Sequence, residues 1–238
     1  MYSQSIKSYH SINCLGVVLA GGLSSRMGQD KAQLLRQKKT TSPTPNTQAE
    51  QSSVSMLNFS KQLLLDAGIT DIVTSGDNFQ IPDCVPHAGP VGGIYSVLAH
   101  FLANSPEHLQ PKALLILPVD LPLMTASAIA ELRLKGELSH KATFFCDSQK
   151  QSHHIPLYLP NNAFLAVFLA QTFRQEQLLA NASTNTPKGM ATKTSKKNGP
   201  SVRSMLAQVP HQSIISQNKQ ILFNTNTPQQ WQQAKQQF

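Results

Sequence analysis

Charge is scarce in this chain. Only 13% of its 238 residues are Asp, Glu, Lys or Arg, about half the usual quarter. Acids are scarcer than bases, 12 against 20, which gives a formal net charge of +8. Aromatics make up 6%, with a single Trp. No RNP, zinc-finger or helix-turn-helix pattern accompanies the basic excess, so no nucleic-acid partner is expected. Cys14, Cys84 and Cys146 lie far apart with no CxxC pair, which argues against a disulfide framework and a sequence-local zinc site. No apolar run approaches the roughly 18 residues of a membrane span, so no membrane partner is expected either. The opening MYSQSIKSYHSIN has no apolar signal-peptide core, and a cytoplasmic location is expected.

What is present is a core-forming pattern, with 40% hydrophobic residues. Leu15 to Ala20 is an apolar run that ends in Gly21-Gly22, the pattern of a buried strand entering a glycine loop. Ala113 to Val119 is a second such run, ending at Asp120 and Pro122. Asp71 to Thr74 offers a third strand, preceded by a helical stretch from Ser53 to Ala67 with Gly68 as its stop. Gly92 to Leu102, Thr125 to Leu134 and Asn162 to Leu179 read as helices, and Ala142 to Cys146 as a strand. This alternation predicts an α/β sandwich, a mostly parallel sheet with helices on both faces. In such sheets ligands bind at the carboxyl ends of the strands, where both Gly21-Gly22 and Asp120 sit.

Two stretches break the pattern. Residues 37–55 and 181–199 are rich in Ser, Thr, Asn, Gln, Lys and Pro. They bury too little apolar surface to offset their ordering entropy and are expected to be flexible insertions in a single domain spanning 1–238. They also carry the charge asymmetry. Arg36, Lys38, Lys39, Lys188, Lys193, Lys196, Lys197 and Arg203 lie in or beside them, and without these eight the basic and acidic residues are equal in number.

The chemistry-bearing run is Leu19-Ala20-Gly21-Gly22-Leu23-Ser24-Ser25-Arg26-Met27-Gly28-Gln29-Asp30-Lys31. Adjacent glycines let backbone N–H groups curl around phosphate oxygens, though a tight turn alone also accounts for them. Arg26 and Lys31 add a planar fork and a point charge suited to a polyphosphate. The run is neither a Walker A loop nor a GxGxxG fingerprint. Asp120 is either a hard oxygen ligand for Mg2+ or a helix cap. Asp83 is either an acceptor for a purine edge or a turn aspartate. Asn224 and Asn226 precede a helix start, Thr227-Pro228-Gln229-Gln230, and could equally be turn formers.

The loop resembles the LAGGxxxRMGxDK element of nucleotidyltransferases with the nucleotide-diphospho-sugar transferase fold, a three-layer α/β/α Rossmann-like sandwich. Within these it resembles the molybdenum cofactor guanylyltransferases, which attach GMP to molybdopterin. Further matches follow in family order: Ile81-Pro82-Asp83, Gly89-Pro90-Val91-Gly92-Gly93-Ile94, Leu117-Pro118-Val119-Asp120-Leu121-Pro122, Gly199-Pro200-Ser201-Val202-Arg203, and Phe223-Asn224-Thr225-Asn226-Thr227-Pro228.

The resemblance implies catalysis by Arg26, Lys31 and Asp120, with Mg2+ held by Asp120. It implies GTP binding by Leu19, Ala20, Gly21, Gly22, Lys31, Thr74, Asp83 and Asp120, and molybdopterin binding by Arg203, Asn224 and Asn226. It also implies molybdoenzymes or their chaperones as receivers of the product. The related cytidylyltransferases usually read LAAG where this chain reads LAGG. Sugar-nucleotide pyrophosphorylases share LAGG but are generally longer. A non-catalytic relative that binds and delivers molybdopterin is the alternative of a different class. It draws on two departures from the family pattern: Lys38-Lys39-Thr40 stands where a GxP turn is usual, and Thr74-Ser75-Gly76 where an Asn or Ser-rich contact is usual.

Overall fold

A computed structural model describes residues 12–21, 27–37, 53–183 and 199–237. Its strands are β1 (Leu15–Leu19), β2 (Leu35–Gln37), β3 (Ser53–Ser55), β4 (Ile72–Ser75), β5 (Ala113–Pro118), β6 (Ala142–Cys146), β7 (Ser152–Pro160) and β8 (His211–Ile215). The α-helices are α1 (Met56–Asp66), α2 (Gly89–Asn104), α3 (Ala126–Ser139), α4 (Ala163–Ser183), α5 (Val202–Leu206) and α6 (Pro228–Lys235). Six strands form the central sheet in the order β4-β1-β5-β7-β6-β8. All run the same way except β7, which is antiparallel to both neighbours.

The uninterrupted apolar runs exist because both faces of the sheet are covered. Leu114, Leu115, Ile116 and Leu117 are wholly buried, and successive side chains go to opposite cores. One core packs Leu115 and Leu117 against Leu64 of α1, Ile129 and Leu132 of α3, and Trp231 of α6. The other packs Leu114 and Ile116 with Val91 and Ile94 of α2, Phe173 of α4 and Met205 of α5. Truncating any of these leucines to Ala costs about 2–5 kcal/mol. The α/β/α sandwich with a mostly parallel sheet is the architecture the alternation predicts.

Two local expectations need correction, and one strand was not expected. The helix expected from Ser53 begins at Met56, because Ser53–Ser55 pairs with Leu35–Gln37 in a two-stranded ribbon and the Ser55 hydroxyl caps the helix by accepting from the Asn58 N–H at 3.2 Å. Strand β8 has no apolar run to announce it, since its residues alternate between exposed and half-buried at the sheet edge. Arg36, expected to flank a flexible loop, is fixed: its Nε donates to the Pro122 carbonyl at 2.9 Å and its guanidinium lies 4.4 Å above the Phe59 ring. Most of both polar insertions, 38–52 and 184–198, lies outside the described residues. Among the described residues no helix is long and apolar enough to cross a membrane.

Strand order places the site. From β1 the chain moves outward to β4, then returns to β5 on the other side of β1. That reversal opens a crevice at the carboxyl ends of β1 and β5.

Candidate active site

Asp120 stands two residues beyond β5, at the crevice. Lys31 reaches it from a short 3-10 turn, Lys31–Gln33, whose start is capped by the Asp30 carboxylate accepting from Ala32 N–H at 2.9 Å. Ala32 is fully buried and anchors that turn. Lys31 Nζ lies 3.2 Å from Asp120 Oδ2 and donates to Asn226 Oδ1 at 2.6 Å. Three segments far apart in sequence thus meet at one ammonium. The second carboxylate oxygen, Asp120 Oδ1, is buried and has no hydrogen-bond partner, and a buried anionic oxygen without a partner is costly unless something binds it.

Asn226 is delivered by a helix cap. Thr227 and Gln230 form a reciprocal capping box at the start of α6. The Gln230 Oε1 accepts from the N–H groups of both Asn226 (2.7 Å) and Thr227 (3.1 Å), which fixes the backbone that aims Asn226. Thr225 ties the same segment to β5: its N–H and its hydroxyl both donate to the Asp120 carbonyl, at 2.9 and 3.2 Å. Gln230 and Thr225 are positioning residues that a motif reading passes over. The Thr-Pro-Gln-Gln cap was the visible signal for the first, whereas no local pattern marks the second. Asn224 is exposed and does not join this cluster.

On the other side of β1, Gly21 meets Gly76. A Cβ on Gly76, whose φ is +146°, would stand 2.6 Å from Gly21 N and 2.8 Å from Gly21 Cα, so the two loops touch backbone to backbone. Asp83 sits beside that contact: a Cβ on Gly21 would lie 3.4 Å from its Oδ2, and one on Gly93 3.9 Å from its Oδ1. Burial, and then the charge of Asp77, push the Asp83 carboxyl above the ordinary range, with a Ser75 hydrogen bond opposing them. Strand alternation puts Ser75 next to Asp83 and Gly93, while Thr74 pairs with Val18 and faces the opposite core. Thr74 is buried, and its Oγ1 lacks a partner. Ser75 therefore lies where Thr74 was expected.

The backbone of the glycine loop is partly committed. The Leu19 carbonyl accepts from Val119 N–H, and the N–H groups of Ala20 and Gly21 both donate to the Ser75 carbonyl at 3.0 and 3.2 Å. The Gly21 amide is thus spent within the fold rather than offered to a phosphate. Gly22 and Arg26 lie outside the described residues. Arg203 is exposed on α5, which abuts α2: a Cβ on Gly199 would strike the Ala88 carbonyl at 2.5 Å and its Cα at 2.9 Å. Arg203 stands near His154 of β7. Asn226, by contrast, belongs to the Lys31–Asp120 centre.

Comparison with known proteins agrees with this architecture. The fold is shared with molybdopterin-guanine dinucleotide biosynthesis protein A from Archaeoglobus fulgidus, at a TM-score of 0.58 and 14% identity over 93% of this chain and 97% of the other. It is shared also with a nucleotidyl transferase from Methanothermobacter thermautotroptrophicus, at a TM-score of 0.50 and 12% identity over 94% and 97%. The fold is thus that of the nucleotidyltransferases. Residues 16–183 match the model of the MobA-like NTP transferase domain, and the chain belongs to that family. Among curated sequences it is 34% identical over 135 residues to the molybdenum cofactor guanylyltransferase of Xanthomonas euvesicatoria, covering 56% of this chain and 59% of that protein. It is 29% identical over 147 residues to a probable molybdenum cofactor guanylyltransferase of Flavobacterium johnsoniae, covering 59% and 66%. The matches span about three-fifths of these relatives' lengths.

Proposed function

We propose that this protein is a cytoplasmic, single-domain guanylyltransferase that moves GMP from GTP to the phosphate of molybdopterin and releases pyrophosphate. The observation that carries the reading is the meeting of Lys31, Asp120 and Asn226 in the crevice, with Asp120 Oδ1 left unpartnered. The names of the curated relatives support the choice of substrates. The product would pass to molybdoenzymes or their chaperones.

Transfers of this kind depend on positioning and charge neutralisation rather than on a side-chain nucleophile. Lys31, and Arg26 with it, would meet the phosphates that leave as pyrophosphate. Asp83 would accept the N1–H and amino group of guanine through its two carboxylate oxygens, with Ser75 beside it. Asn226 accepts from the Lys31 ammonium and so fixes it beside Asp120.

Asp120 fits a divalent cation such as Mg2+: one oxygen faces Lys31 and the other is buried without a partner. Among the described residues no three His, Cys, Asp or Glu side chains gather around a common point, so the remaining ligands would be substrate phosphates and water, the usual arrangement for this ion. Bound there, the cation would neutralise triphosphate charge and polarise the reacting phosphoryl group.

The test is incubation with molybdopterin, Mg2+ and each nucleoside triphosphate in turn, with product identified by mass and pyrophosphate measured. The reading expects a guanine dinucleotide from GTP alone. A cytosine product, or turnover only with sugar phosphates, would move the chain to another branch of the fold. Binding of molybdopterin without any pyrophosphate release would make it a carrier.

A further inference from the structure

Helix α2 carries a wholly buried hydroxyl that the roles above leave unused. It belongs to Ser96, in a helix whose other buried residues are glycine or apolar. Alanine would suit the helix better there and would leave no polar atom to satisfy. The hydroxyl is used twice. Ser96 Oγ donates to the Gly92 carbonyl at 2.9 Å, the bond to the preceding turn that helical serines often make. It also accepts from the Cys84 N–H at 2.8 Å, across twelve residues of sequence. The first bond is local to the helix. The second ties the helix to the segment that carries Asp83.

That segment is held on both sides of Asp83. Upstream, Ile81 is buried and bridges to Ser75: its N–H donates to the Thr74 carbonyl and its carbonyl accepts from the Gly76 N–H, both at 3.0 Å. Pro82 then fixes a backbone dihedral and brings no N–H of its own. Downstream, Cys84 is exposed, and its N–H is taken by Ser96. The upstream tie extends the sheet, whereas the downstream tie hangs on one hydroxyl. Between them the carboxylate is set between two glycines. A Cβ on Gly21 would lie 3.4 Å from Oδ2, and one on Gly93 3.9 Å from Oδ1. Each oxygen thus faces a different element, and a rotation of the backbone at residue 83 would turn both out of that alignment.

We infer that Ser96 is a positioning residue for base selection, fixing through the Cys84 N–H the direction in which Asp83 presents its two oxygens. The inference rests on the guanine reading of Asp83 above, and Ser96 acts through Asp83 rather than on the base. Two parallel hydrogen bonds to a purine edge need both oxygens at once, so a misdirected carboxylate keeps one bond and loses the other. The bond from the 2-amino group can be isolated, because inosine lacks that group. A site built to receive it penalises a nucleotide without it. Without the Ser96 hydroxyl, the Cys84 N–H loses its partner, the segment after Asp83 is freed, and the penalty shrinks. A tie that served stability alone would weaken GTP and ITP equally.

Amide hydrogen exchange of the full-length protein tests the tie without any turnover. In Ser96→Ala, exchange at Cys84 should quicken about tenfold or more, while Leu115 and Ile116 of β5 stay protected. Unchanged exchange at Cys84 overturns the tie whatever nucleotide the protein uses. Turnover then tests selection, as the ratio of kcat/KM for GTP to that for ITP. The ratio should fall about tenfold in Ser96→Ala, the worth of one charge-assisted hydrogen bond, with the KM for molybdopterin unmoved. In an Asp83→Asn background the same substitution should change the ratio less than about twofold, because the two residues act as one unit. Ser96→Cys, close in size but only a weak acceptor, should fall between wild type and Ser96→Ala in both measurements. A ratio that keeps its wild-type value in Ser96→Ala, or falls as far with Asp83→Asn already present, overturns the positioning role. A wild-type protein that releases no pyrophosphate, or does so without preferring GTP to ITP, would instead count against the guanylyltransferase reading, and the exchange result remains readable in that case.

Discussion

The crevice at Asp120 and the loop contact at Asp83 carry charge in different ways. At Asp120 every charge has an answer within the protein except one carboxylate oxygen. Lys31 pairs with Asp120, Asn226 accepts from Lys31, and a capping box holds Asn226 in place. At Asp83 burial and the charge of Asp77 raise the carboxyl, and a Ser75 hydrogen bond opposes them. The first arrangement is preorganised and close to neutral, so it discriminates by geometry. The second is a carboxylate whose charged form is disfavoured, so it gains most from a hydrogen-bond donor.

The largest effects are expected where pairing is densest. Asp120→Ala should lower kcat by about 10²–10³-fold, the scale seen when one preorganised electrostatic group is removed, with near-wild-type circular dichroism. Lys31→Ala should cost a similar factor. Because the two side chains touch, the double variant should lose much less than the product of the single losses. Next is base selection: Asp83→Asn replaces one of two acceptor oxygens with a donor and should cut guanine preference over other nucleotides by about 10–100-fold, measured as the ratio of kcat/KM values. Acidification probes the same residue. Burial raises the Asp83 carboxyl, so the KM for GTP should begin to rise at a pH above the ordinary carboxylate value of about 3.9, and that rise should vanish in Asp83→Asn.

Smaller effects should separate the scaffold from the site. The buried Asp147 carboxylate, at the end of β6, accepts from the N–H groups of Gln151 and Gln149 at 2.9 Å each and faces Lys219 at 3.2 Å. The Gln151 bond, then Lys219, hold it below the ordinary range, against its burial. A depressed folded-state value contributes stability that is present above about pH 3.9 and is lost as pH falls through the folded value. Thermal melts of the wild type should therefore fall more steeply below pH 4 than those of Asp147→Asn. Thr227→Ala removes one half of the capping box and should cost about 1 kcal/mol, about 2–4 °C in Tm for a chain of this size. It should also lower kcat modestly, whereas a cap lost elsewhere, such as Ser201→Ala ahead of α5, should leave kcat with GTP in excess nearer wild type.

Legibility in the sequence followed the range of the physics. The central strands were readable because a run such as Leu114 to Leu117 is apolar on both faces only when both are covered. Strand β8 was not, because an edge strand with one solvated face has no such run. The short pairing of Ser53–Ser55 with Leu35–Gln37 joins residues on either side of a polar insertion, and nothing local signals it. Within the site, Asp120 stood out as the carboxylate closing a buried strand, and the cap at Thr227 as a local motif. The contact of Lys31 with Asn226 spans 195 residues, and only the fold brings them together. Thr74 and Ser75 are adjacent in sequence but face opposite cores, so a shift of one residue decides which of them stands beside Asp83.

The most direct measurement is pyrophosphate release from Mg2+ and GTP with molybdopterin as acceptor, comparing the wild-type protein with Asp120→Ala. The account predicts steady release by the wild type with a guanine dinucleotide as co-product, and a loss of about 10²–10³-fold in the folded variant. Wild-type rates in Asp120→Ala would contradict it.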